Sequence, residues 1–122
     1  MITRKESFLI NRIKSIGFAA IGLWYLIRTE NSIKLQIGIS LALQFAGFFY
    51  NITATEWMFQ TLAIGLVLSI EGLNTAIEKI CDFVQPNYDQ KIKVIKDIGA
   101  GAVFFATIAS IFIGIFIYMP KI

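Results

Sequence analysis

Histidine is absent from this chain, so no imidazole can act as a general base or bind a metal. Oxygen donors remain, and these suit hard cations such as Mg²⁺. Cys81 is the single cysteine, which rules out an internal disulfide. Charge is also scarce: 16% of the 122 residues are charged, against 57% hydrophobic, and the mean hydropathy is +0.70. A soluble domain of this length could not hide so much apolar surface. The length fits one domain, residues 1–122, and the hydropathy makes it an integral-membrane one. No dense Lys/Arg cluster is interleaved with aromatics, and a net charge of +3 is small. Nucleic acid is therefore not expected as a partner. The opening MITRKESFLINRIKS lacks a continuous apolar core and a small-residue cleavage site, so it does not read as a signal peptide.

What is present is three long apolar stretches, and they predict an all-α membrane protein. A hydrocarbon core of ~30 Å needs ~20 helical residues. Spans are expected over about 33–52, 55–84 and 96–119. The middle one would measure roughly 45 Å at about 1.5 Å per residue, so it must project beyond the apolar slab at one end. Gln85-Pro86-Asn87 ends it, since proline cannot continue a helix and Asn favours turns. A further helix over about 6–27 places Leu9, Ile13, Ile16, Ala20, Leu23 and Ile27 on one side, opposite Ser7, Asn11 and Lys14. Ile10, Phe18 and Ile21 break that pattern, yet a helix lying in the membrane surface is its simplest use. Asn51-Ile52-Thr53 matches a glycosylation sequon, but the turn is too short for that reading to be preferred.

The basic residues give an orientation. Arg4, Lys5, Arg12, Lys14, Arg28 and Lys34 precede the first span, and Lys79, Lys91, Lys93 and Lys96 flank the second connection. Only Lys121 lies on the other side. Basic loops stay in the cytoplasm, which puts the N-terminus inside and the C-terminus outside. Phe48, Phe49, Tyr50, Trp57 and Tyr118 would then form an aromatic belt at the outer boundary. Ala102, Ala106, Ser110 and Gly114, with Gly65 and Ser69 and with Gly72 and Ala76, repeat at four-residue spacing and predict close helix contacts.

One polar feature interrupts the apolar middle span. Glu71, Asn74, Glu78 and Asp82 follow each other at i, i+3, i+7 and i+11. On a helix they fall at about 0°, −60°, −20° and +20°, a narrow stripe on one face. An ionisable group at membrane depth costs at least ~2.5–3.5 kcal/mol, so such groups are rare without a task. Glu78 and Asp82 could reach water by themselves; Glu71 lies deeper and needs a stronger reason. Lys96-Asp97 opens the third span at the same cytoplasmic end, and Glu30 precedes the first span. A lysine there is often only a topology signal, and an isolated interfacial glutamate is usually only solvated. Together they supply carboxylates for a divalent cation and a lysine for phosphate charge. Gly99-Ala100-Gly101-Ala102 is too short and too apolar to cradle phosphates as a P-loop does. Three helices cannot screen a polar seam alone, which predicts a homo-oligomer. From the residues alone, the chain presents a cytoplasm-facing, metal-competent site at the lipid boundary.

The run Glu71-Gly-Leu-Asn74-Thr-Ala-Ile-Glu78-Lys-Ile-Cys-Asp82, followed by Lys96-Asp97-Ile-Gly-Ala-Gly-Ala-Val103, resembles the signature of the bacterial integral-membrane diacylglycerol kinase and undecaprenol kinase family. With Arg12-Ile-Lys14 and Glu30 the resemblance extends over nearly the whole chain. It implies a surface helix plus three spans, a homotrimer with sites between protomers, and transfer of the γ-phosphoryl group of ATP to a lipid alcohol with Mg²⁺. It also implies a place in the bacterial cytoplasmic membrane. By position, Glu71 resembles the general base and Asn74 the amide that orients base or substrate. Glu30 and Glu78 would bind the metal and nucleotide, and Lys96 would hold phosphates. Arg12, Lys14, Phe18, Asp82 and Asp97 would contact nucleotide or order the site. Phe18 stands where the family often has Tyr, Ile21 where it often has Lys, and Lys34 where it often has Arg. Two other classes fit less well. An ion-coupled transport component would spread acids over several helices near the midplane, and a non-catalytic assembly subunit needs no such constellation.

Overall fold

The computed structural model describes residues 4–122, with side chains from Ser7 onward. Four α-helices follow one another: α1 (Arg4–Thr29), α2 (Asn31–Phe49), α3 (Ala54–Val84) and α4 (Gln90–Tyr118), with a closing 3-10 turn at Met119–Lys121. Three segments are long and apolar enough to cross a membrane: Asn31–Phe49, Ala54–Val84 and Gln90–Lys121. The chain divides into two compact units, one through Lys34 and one from Leu35 to Ile122.

In the first unit α1 is a continuous 26-residue helix. It leaves Phe8, Leu9, Ile13, Ile16, Phe18 and Trp24 exposed. The Arg12 guanidinium lies over the Phe8 ring, 5.8 Å from its centroid. The backbone hardly breaks at Glu30: its N–H donates to the Leu26 carbonyl at 3.0 Å, and its carbonyl accepts from Lys34 N–H at 3.1 Å.

In the second unit the principal packing is α3 against α4. Lipid tails are as apolar as leucine, so close fit between small side chains has to replace the hydrophobic drive. Ala63, Val67, Thr75 and Cys81 are buried on α3, and Gly99, Ala106 and Ile117 on α4. Ser110 Oγ donates to the Ala63 carbonyl at 3.3 Å. The small-residue spacing is therefore only partly the contact. Ala106 and Ser110 take part in it, whereas a side chain at Gly65 or Gly114 would meet nothing within 4 Å. Gly65 is two residues from both Ala63 and Val67, and two residues turn a helix through about 200°. On α4 the four-residue rule caught Ala106 and Ser110 but also the exposed Ala102, and on α3 Gly65 and Ser69 are exposed.

The turn between α2 and α3 is tightly specified. Asn51 adopts φ 54°, a left-handed conformation that Asn tolerates better than most residues. Asn51 N–H donates to the Phe48 carbonyl at 3.3 Å and Ile52 N–H to that of Gly47 at 3.1 Å, the two bonds of a Schellman cap. A Cβ at Gly47 would lie 2.6 Å from the Trp57 ring, so the ring requires glycine there. Thr53 then caps α3: its hydroxyl accepts from Glu56 N–H at 3.2 Å, and its own N–H donates to Glu56 Oε1 at 2.9 Å. The sequon threonine is thus a helix cap.

The same end ties all three helices of this unit together. Gln60, only 3% exposed, donates through Nε2 to the Leu43 carbonyl of α2 at 3.0 Å. Tyr118 of α4 donates to Gln60 Oε1 at 2.6 Å. Lys121 Nζ meets Glu56 Oε2 at 2.9 Å. Phe48 meets Trp57 at a tilt and Tyr50 meets Tyr118 edge-on, at centroid distances of 5.0 and 5.8 Å. The expected aromatic belt does gather at one end.

At the opposite end α3 stops at Val84 and Pro86 follows. Asp89 caps α4, accepting from Lys91 and Ile92 N–H at 2.9 and 3.2 Å. That cap starts α4 at Gln90, ahead of the Lys96 expected from hydropathy alone. The polar turn from Lys91 to Asp97 is therefore helical, and its side chains are carried at fixed angles.

Candidate functional site

α3 is unbroken from Ala54 to Val84, about 46 Å at 1.5 Å per residue. Glu71, Asn74, Glu78 and Asp82 therefore do share one stripe. Their exposure is graded: Glu71 and Asn74 are half-buried, and Glu78 and Asp82 are open. The stripe deepens toward the middle of the helix, away from the 85–89 loop.

α4 brings its basic group to this stripe. Lys96 Nζ donates to Asp82 Oδ1 at 2.6 Å. Asp97 turns the other way and pairs with Lys93 along its own helix at 2.7 Å. Lys96 and Asp82 are thus united across two helices, whereas Asp97 is not joined to the stripe. Around them lies a recess of about 330 Å³ lined by Asp82, Gln85, Tyr88, Asp89, Lys93 and Lys96. A second cavity of about 360 Å³ between α2, α3 and α4 has no charged group in its lining. Only the first offers ionic partners for a phosphate-bearing ligand.

Asn74 is held differently. Its Oδ1 is buried and accepts no hydrogen bond, and it faces Gly99 of α4 so closely that a Cβ there would overlap it. In the sequence Gly99 stands out only as part of the Gly99-Ala100-Gly101-Ala102 run, with no role of its own. A helical glycine costs up to about 1 kcal/mol against alanine, which is the one signal it carried. Gly101 carries the same signal and has open space around it, so composition could not choose between them.

The remaining expected residues, Arg12, Lys14, Phe18 and Glu30, belong to the first unit. Lys14 and Phe18 are exposed, Arg12 lies over Phe8, and Glu30, the single residue joining α1 to α2 along the chain, is half-buried. Among the described residues no three of His, Cys, Asp and Glu come together as a metal-holding set. The donor chemistry nevertheless suits Mg²⁺, which is commonly held by one or two carboxylates with substrate phosphates and water.

Against known proteins, the family profile described as Prokaryotic diacylglycerol kinase matches residues 17–118. This chain belongs to that family. It is 36% identical over 114 residues to an undecaprenol kinase of Bacillus subtilis, covering 93% of each chain. It is 29% identical over 122 residues to a diacylglycerol kinase of Synechocystis sp., covering 98% of this chain and 70% of the other. Family membership identifies a membrane-embedded lipid kinase and disfavours the acidic relay of a transport component. The family match includes the whole of the stripe and its lysine; Arg12 and Lys14 lie before it.

Proposed function

We propose that the protein transfers the γ-phosphoryl group of ATP to undecaprenol at the cytoplasmic face of a bacterial inner membrane. The observation that carries the reading is the Lys96–Asp82 pair at 2.6 Å, which fastens a cation from α4 to the carboxylate stripe of α3. ATP approaches from water with its phosphates toward Lys96. The lipid hydroxyl approaches from the bilayer along the half-buried part of the stripe. Its oxygen forms a bond to the γ-phosphorus as the bond from that phosphorus to the β–γ bridging oxygen breaks. Glu71 takes the hydroxyl proton and ADP departs.

Phosphoryl transfer runs through a loose transition state, so positioning and charge neutralisation outweigh base strength. Asn74 orients the acceptor or its base. Glu78 and Glu30 would hold Mg²⁺, which would neutralise phosphate charge. Arg12, Lys14, Phe18 and Asp97 serve the nucleotide. α1 would lie in the membrane surface, and a homotrimer would hide the polar seam.

Undecaprenol is preferred because the relative named for it matches at 36% over nearly both whole chains, against 29% for the diacylglycerol kinase. Diacylglycerol, giving phosphatidic acid, is the second reading. The test is purified protein with γ-labelled ATP and Mg²⁺ in mixed micelles holding each alcohol separately. Label in undecaprenyl phosphate supports the reading, and label mainly in phosphatidic acid replaces the acceptor. No labelled lipid from folded, assembled protein overturns the kinase reading.

A further inference from the structure

We propose that Gly99 is a positioning residue for phosphoryl transfer, acting through Asn74; the inference rests on the kinase reading above. Asn74 Oδ1 is buried without a hydrogen-bond donor. An added Cβ at Gly99 would overlap that oxygen and stand 3.3 Å from Asn74 Cγ. The glycine hydrogen in the Cβ direction therefore points at the amide oxygen, a weak Cα–H···O contact. Gly99 is itself buried in the α3–α4 interface. Bare backbone from α4 thus closes over one end of the Asn74 amide and fixes its rotation.

The direction of that rotation matters for the chemistry. Glu71, Glu78 and Asp82 present carboxyl oxygens along the stripe, and a triphosphate presents only acceptor oxygens. Lys96 Nζ is drawn to Asp82 and Lys93 Nζ to Asp97, and the two N–H groups of Asn74 Nδ2 add donors within the stripe itself. An amide turned oxygen-forward would oppose acceptor to acceptor. By occupying the oxygen with a backbone C–H, Gly99 keeps the donor end toward the stripe. The other glycines of α4, Gly101 and Gly114, have nothing within 4 Å of their Cβ positions. The close approach at Gly99 is thus a local match to Asn74 and not general helix crowding.

The experiment uses full-length enzyme, purified and assembled, with Mg-ATP and whichever lipid alcohol the wild type phosphorylates. Gly99→Ala is expected to lower kcat at least tenfold and leave KM for ATP within twofold. Gly101→Ala, two residues along the same helix, is expected to keep kcat within twofold. In an Asn74→Ala background, adding Gly99→Ala should cost less than twofold, because its target is already gone. Asn74→Asp leaves Gly99 intact and keeps the side-chain shape without the donor. It should fall as far as Asn74→Ala, and this arm stands even if Gly99→Ala does not fold. The proposal is overturned by wild-type-like kcat in Gly99→Ala, by multiplicative losses in the double variant, or by an active Asn74→Asp. An inactive wild type would instead sink the kinase reading and take this inference with it.

Discussion

Lys96 and Asp82, fourteen positions apart, meet at 2.6 Å and join the start of α4 to the end of α3. Both remain accessible, with side chains 37% and 65% exposed. Exposed ion pairs contribute little to stability, so this pair is better explained by what it offers a ligand. Lys96→Met is expected to raise KM for ATP tenfold or more while the thermal midpoint stays close to that of the wild type. Asp82→Asn, which keeps the cation and loosens its aim, should raise KM less. Steady-state kinetics with varied ATP, beside a thermal melt, check both. A Lys96→Met enzyme with normal KM would remove this lysine from phosphate binding.

Glu78 is open to solvent on the same stripe, and a single carboxylate is a weak Mg²⁺ ligand until substrate phosphates complete the shell. Chelation of divalent cations should abolish transfer, and added Mg²⁺ should restore it. Glu78→Gln should need at least tenfold more Mg²⁺ for half-maximal rate. A Mg²⁺ titration identical to that of the wild type would exclude Glu78 as a ligand.

At the other end of the second unit, Tyr118 and Gln60 form a polar tie inside apolar surroundings. Tyr118→Phe removes the hydroxyl and leaves Gln60 Oε1 buried without its donor. Such a loss costs about 1–3 kcal/mol. Lower resistance to thermal or denaturant inactivation, with near-normal kcat at low temperature, is the expected outcome. Loss of kcat at full stability would mean that this end takes part in the chemistry.

Much of this arrangement was legible in the residues. The three spans follow from apolar length, and the stripe follows from 3.6-residue periodicity because α3 contains no break between Glu71 and Asp82. Lys96 was placed on the correct end by charge alone. Its partner was not, since a hydrogen bond between α3 and α4 depends on helix rotation, which spacing does not determine. The start of α4 was missed because Lys91, Lys93 and Lys96 make that turn look like a loop on hydropathy, whereas the Asp89 cap makes it helical. Thr53 stands in the sequence only as part of a sequon whose modification is not preferred, and in three dimensions it caps a helix. Gly99 was illegible because its meaning lies in the residue opposite, Asn74, on another helix.

Phosphoryl transfer to a lipid is proposed to take place on the stripe of α3. Glu71→Gln keeps size and one acceptor oxygen while removing the base, and a positioned base supplies ~10²–10⁴-fold in rate. The decisive measurement is single-turnover transfer of label from γ-labelled ATP to the lipid alcohol, by wild-type and Glu71→Gln protein at equal amounts of assembled enzyme and saturating ATP. A rate loss within that range is expected, with nucleotide affinity retained. A Glu71→Gln protein that phosphorylates lipid at the wild-type rate would contradict it.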